Sequence, residues 1–230
     1  MKFIRLFGAK GPWNRERRSK LLLISIVLFF ILPALSENHE VGRVFLVLLL
    51  YVTLVSATME LAEKRVLFWS AIPLAGISMV LLGVSHYLPT PALLIVNALA
   101  LAAFLALVSV SLFVYLGEDG QITTGRIYVS VSLYFLMGLT WFSIYNLLNI
   151  MQPGSFTEGG VALPRNAPWS TILYFSLTTL TTVGYGDILA VKPAARMCAM
   201  LEAAAGVLYV AITIARLVAA NQTAKTSTDA

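Results

Sequence analysis

The chain has 230 residues, of which 59% are hydrophobic and 12% are charged. Soluble domains hold about 45–50% apolar and about 25% charged residues, so this balance excludes an ordinary soluble globular domain. The net charge of +5 gathers at one end beside an apolar run, which favours anionic lipid headgroups over nucleic acid as the partner.

Residues 1–20 carry Lys2, Arg5, Lys10, Arg15, Arg17, Arg18 and Lys20, interleaved with Phe3, Ile4, Leu6 and Phe7. Two readings stand: an amphipathic stretch lying on an anionic leaflet, or a mobile basic tail. Six apolar segments follow, at 21–36, 41–59, 66–87, 91–116, 127–151 and 193–220. A membrane-crossing helix needs about 20 residues (range about 17–25), so each segment reads as a span, the first near the lower limit. The basic start and Ala34-Leu35-Ser36 share features of a secretory signal, but 21–36 is read as a true first span. The connections among the first four segments are short, which makes those helices antiparallel neighbours. The expected organisation is a basic N-terminus (1–20), a four-helix domain (21–116), a linker (117–126), a region of two apolar segments and the stretch between them (127–220) and a cytoplasmic tail (221–230). Within that plan no cytoplasmic ligand-binding domain is expected.

The fourth segment, 91–116, contains no Lys or Arg. One charge moved across the field yields only about 2.3 kcal/mol per 100 mV, so a steep voltage sensor needs several basic residues inside a span. The linker 117–126 holds Gly117, Gly120 and Gly125, which disfavour a long helical lever. Each four-helix domain is therefore expected to pack on the 127–220 region of its own chain. Residues 152–167 are rich in Pro and Gly and read as a loop. Residues 168–181 read as a helix opened by Pro168 and too short to cross a bilayer.

The run Thr182-Val183-Gly184-Tyr185-Gly186-Asp187 lies between this half-helix and the last span. Its glycines adopt backbone conformations closed to other residues, so successive carbonyls can point toward one axis. Four chains then stack oxygen rings that replace the water shell of a cation, with the Thr182 hydroxyl at the inner end. The chain resembles the six-transmembrane pore-loop potassium channel family, with a voltage-gated-like architecture that lacks the arginine ladder. Residues 127–220 carry the resemblance as outer helix, pore helix (168–181), filter (182–186) and inner helix (193–220). It implies an all-α integral membrane fold with six transmembrane helices plus a re-entrant pore helix, assembled as a homotetramer. Thr182, Val183, Gly184, Tyr185 and Gly186 are expected to form the filter, with K+ bound through Thr182, Val183, Gly184 and Tyr185. Asp187, Tyr174, Thr178 and Thr181 are expected to support it, Tyr174 standing where relatives often carry Trp. A Pro-Val-Pro bend is absent at Thr213, Ile214 and Ala215.

Gly206 stands where many such channels bend, and reads either as a hinge or as a site of close helix packing. Glu202 lies about ten residues into the last span, roughly 15 Å below its outer end. It reads either as a titrating gate element or as a hydrogen-bonded or protonated acid pinning the inner helix to the hydroxyl-rich pore helix, with Ser176, Thr179 and Thr181. His39 and His86 lie apart, the single Cys198 sits in an apolar run, and no nucleophile–base or metal-ligand pattern emerges.

Orientation follows from the basic residues. A cytoplasmic N-terminus places twelve inside, the seven near the start with Lys64, Arg65, Arg126, Arg216 and Lys225. It leaves four outside, Arg43, Arg165, Lys192 and Arg196, in accord with the positive-inside rule. The expectation is a multi-pass plasma-membrane channel with both termini cytoplasmic and no cofactor beyond permeant K+. Alternatives are a potassium uptake subunit, against which the single intact motif argues, and a non-conducting regulatory subunit. The gating stimulus, or a regulatory partner that supplies it, is not written in the sequence.

Overall fold

A computed structural model describes residues 15–31, 39–63, 65–87, 90–118 and 123–228, with side chains described for 15–31, 47–62, 66–84, 90–118 and 123–216. Among these residues the chain forms α1 (Arg15–Ile31), α2 (His39–Glu60), a 3-10 turn (Leu61–Glu63), α3 (Arg65–Tyr87), α4 (Pro91–Gly117) and α5 (Thr124–Met151). Strands β1 (Phe156–Glu158) and β2 (Val161–Ala162) follow, then α6 (Trp169–Leu180), β3 (Ile188–Ala190) and α7 (Pro193–Thr228). Among the described residues four helical stretches are long and apolar enough to cross a membrane: Val66–Val84, Pro91–Gly117, Thr124–Met151 and Pro193–Arg216. Val47–Glu60 is apolar but shorter.

The chain divides into two compact units. The first comprises Met1–Val80 and Ala103–Leu136. In it α1 packs on α2. Buried positions recur at helical spacing: Leu22, Ile26 and Phe29 on α1, and Val129, Leu133 and Leu136 on α5. Hydroxyls within the apolar helices turn back on their own backbone. Thr53 donates to the Leu49 carbonyl at 2.8 Å, and Ser111 to that of Leu107 at 2.6 Å. A lipid-facing environment offers no water, so such internal bonds let polar residues sit in a span. Tyr51 ties α2 to α3 by donating to the Met79 carbonyl at 2.8 Å.

The helix start differs from the expected boundary at residue 21. Residues 15–20 form the first turns of α1, and Arg18 and Ser19 are buried there. Arg15, Glu16, Arg17 and Lys20 are tolerant helix formers, and Glu16 in the first turn complements the helix dipole. The remainder of the basic stretch, and 32–36 of the first expected span, lie outside the described residues, as do the linker positions 119–122 and the side chains of His39 and His86. Either side of that linker, Arg126 reaches back from α5 and donates to the carbonyls of Tyr115 (3.2 Å) and Glu118 (2.7 Å). It thereby adds side-chain donors to carbonyls at the end of α4, beside the Glu118 N–H that donates to the Tyr115 carbonyl at 3.3 Å.

The second unit comprises Leu81–Ala102 and Met137–Ala230. Its core is an aromatic cluster of Tyr145, Phe156 and Phe175 with Leu163, Ile172, Ile188 and Ala195. The three rings meet edge to face at 5.1–5.5 Å between centroids, the favoured geometry for aromatic quadrupoles.

Residues 152–167 correct the loop expectation, because they hold two strands. Gly159 and Gly160 both take positive φ, +56° and +83°, and turn β1 into β2 as a hairpin. β3 then pairs antiparallel with the other edge of β1, giving the order β2-β1-β3. The last helix also differs: α7 runs to Thr228 and does not end at residue 220. No Gly or Pro follows Ala220, so nothing in that stretch stops a helix.

Candidate functional site

The half-helix α6 begins after Pro168, whose φ of −52° and ψ of 132° suit the residue preceding a helix. It ends at Leu180, with Thr181 closing the last turn by donating its backbone N–H to the Leu177 carbonyl at 3.0 Å. Its carbonyl end, the negative pole of the helix dipole, leads straight into Thr182–Asp187.

That segment is neither helix nor strand, and its backbone alternates. Thr182, Gly184 and Gly186 have φ of +59°, +51° and +81°, while Val183 and Tyr185 keep negative φ. Two of the three positive φ values fall on glycines, the residues that adopt that region without steric cost. Thr182 is the exception to the chemistry, since a β-branched residue pays a steric penalty in the left-handed region. Every residue from Thr181 to Asp187 is exposed in the single chain; Tyr185 retains 72% of its surface and Val183 51%.

Support for this segment comes from backbone more than from hydroxyls. The Thr178 carbonyl accepts from Val183 N (2.9 Å) and Gly184 N (3.1 Å), and the Thr179 carbonyl accepts from Thr182 N (2.9 Å). The Thr178 hydroxyl instead donates back to Tyr174 (3.0 Å), and that of Thr181 to Leu177 (2.7 Å). At the outer end Asp187 Oδ1 accepts from Ile188 N at 3.0 Å. The Tyr174 hydroxyl also interacts with the Asp187 carboxylate, and the Tyr174 ring lies parallel to Tyr185 at 6.3 Å. The pairing of β3 with β1 then fastens the chain just past Asp187, with Gly159 N donating to the Asp187 carbonyl at 3.3 Å.

Behind the segment, α7 passes close to the foot of α6. A Cβ on Gly206 would run into the Leu180 carbonyl, so this glycine is a point of close approach, and α7 continues through it unbroken. Four residues earlier Glu202 is fully buried, with Oε2 accepting from the Tyr145 hydroxyl at 2.5 Å and Oε1 lying 2.5 Å from the Ser176 hydroxyl. Of the expected partners on the pore helix, Ser176 meets Glu202, while the Thr181 hydroxyl turns back on its own helix. Tyr145 is the contact that sequence reading missed. It lies 57 positions from Glu202 and carries no local motif. Asn149, also on α5, donates to the Pro164 carbonyl at 2.7 Å and steadies the approach to α6.

A family described as ion channel matches residues 129–223, the stretch that holds most of α5, the half-helix, the glycine-rich strand and α7. The potassium channel protein kcv of Paramecium bursaria Chlorella virus 1 is 35% identical to this chain over 66 residues, which make up 28% of this chain and 70% of the viral protein. No solved structure matches the chain.

Proposed function

The chain belongs to the pore-loop potassium channel family, and we propose that four copies of it close a ring about one axis and pass K+ passively down its gradient. Each protomer supplies one filter strand, Thr182–Gly186, and the carbonyls of Thr182, Val183, Gly184 and Tyr185 replace the ion's water shell. The observation that carries this reading is the alternation of φ at Thr182, Gly184 and Gly186 in a strand mounted on a helix carbonyl end. The exposure of Val183 and Tyr185 in the lone chain supports it, since a closed ring covers such a strand. The match to an ion channel family and the likeness to a viral potassium channel support a channel over an enzyme.

In this reading the chain has six spans, both termini on the cytoplasmic side of the plasma membrane, and a basic N-terminus against anionic headgroups. Its four-helix domain does not respond steeply to voltage. Asp187 and Tyr174 brace the outer mouth, while Thr178 and Thr181 hold the pore helix that seats the filter.

Reconstitution in liposomes under opposed K+ and Na+ gradients tests the proposal. The expected result is K+ flux well above Na+ flux in wild type and loss of that preference in Gly184→Ala. Equal passage of both ions by the wild type would sink the assignment of selectivity.

A further inference from the structure

Glu202 sits in a dry pocket of one protomer where the hydrogen atoms can be counted. Tyr145 Oη lies 2.5 Å from Oε2, and Ser176 Oγ lies 2.5 Å from Oε1. Ser176 Oγ also lies 2.8 Å from the Gly138 carbonyl oxygen. A serine hydroxyl has one proton, a carbonyl has none, and an ionised carboxylate has none. With Glu202 ionised, Ser176 serves one of its two oxygen neighbours and faces the other lone pair to lone pair. Two oxygens then stand at most 2.8 Å apart with no hydrogen between them, a repulsive contact in a buried site.

One more proton resolves the geometry. Glu202 Oε1–H donates to Ser176 Oγ, Ser176 donates to the Gly138 carbonyl, and Tyr145 donates to Oε2. Every contact in the group then holds one hydrogen. We infer that Glu202 is kept as a neutral carboxylic acid, the donor at the head of a relay that runs from α7 through α6 to the backbone of α5. Among the described residues the groups that interact with it are Tyr145 from α5, Ser176 from α6 and Cys198 from its own helix, none of them a cation that would reward a buried carboxylate. Glu202 is a positioning residue in this arrangement. It touches no ion, and fixes the pore helix between its two neighbours by hydrogen bonds whose direction is set by its proton. This inference concerns one protomer and stands apart from which ion the assembly passes.

Infrared spectroscopy on the purified full chain at neutral pH tests it. The expected spectrum contains the C=O stretch of a buried carboxylic acid that shifts in D2O, vanishes in Glu202→Gln and moves in Ser176→Ala, which removes the acceptor but keeps the acid. A band unaffected by both substitutions, or a difference spectrum with carboxylate bands alone, overturns the inference. Thermal unfolding gives a second readout. Gln carries one donor and one acceptor in the same places, so Glu202→Gln is expected to melt near wild type and Glu202→Ala several degrees lower. A Gln variant that melts as low as Ala, or does not fold, also overturns it.

Discussion

Gly206 faces the Leu180 carbonyl so closely that a Cβ would overlap the oxygen. Backbone cannot swing aside as a side chain does, so the inner helix or the pore helix must shift. Gly206→Ala is therefore expected to destabilise the protein by about 1–3 kcal/mol, the range for overpacking a tight core. A lowered unfolding midpoint in detergent is the measurement. Gly184 is constrained differently, having open space around its Cα but a φ of +51°. Gly184→Ala is expected to leave the melting behaviour nearly intact and to alter ion preference, because the strain falls on the segment proposed to line the ion path. Measuring both variants by both methods separates packing from backbone conformation.

At the scale of elements, the ring cluster of Tyr145, Phe156 and Phe175 joins α5, β1 and α6. Phe156 is fully buried, and Phe156→Ala is expected to cost about 3–5 kcal/mol. Hydrogen exchange is expected to rise first in the β1 and β3 backbone, and uniform loss of protection across α7 would contradict that local role. The half-helix and its glycine-rich sequel were legible because their signals are local: a proline start, a length too short for a span, glycines at fixed spacing. The small sheet was not, because β3 pairs with a strand about 30 residues upstream and three-residue strands have no periodicity to detect. Tyr145 was hidden for the same reason, since nothing in an apolar helix marks which hydroxyl will meet an acid 57 positions away. The C-terminal reach of α7 is not legible in apolar content, because the segment 193–220 marks where hydrophobicity stops and the helix continues through polar residues to Thr228.

For the whole molecule, the fourth helix is the informative one. Pro91–Gly117 contains no charged residue, so its movement through the membrane field carries no gating charge. Planar-bilayer recordings are expected to show open probability varying shallowly with voltage, and a steep curve abolished by changes in this helix would refute the expectation. Arg126 bears on the domain arrangement. By closing on the Tyr115 and Glu118 carbonyls it ties the two ends of the linker within one chain. Arg126→Ala removes charge-assisted bonds worth about 1.5–3 kcal/mol each at most, and the expected result is a lower melting midpoint with ion preference unchanged.

The strand from Thr182 to Asp187 is fastened at both ends within its own protomer. Its inner end hangs from the Thr178 and Thr179 carbonyls, and its outer end is stitched to β1 through β3. A tether of this kind works as a gauge of fixed span: adding or deleting one residue between the anchors cannot be absorbed by slack. Single-residue insertions there should be far less tolerated than substitutions, and in the proposed channel the distance between a helix end and a sheet edge would set how many oxygen rings the segment can stack.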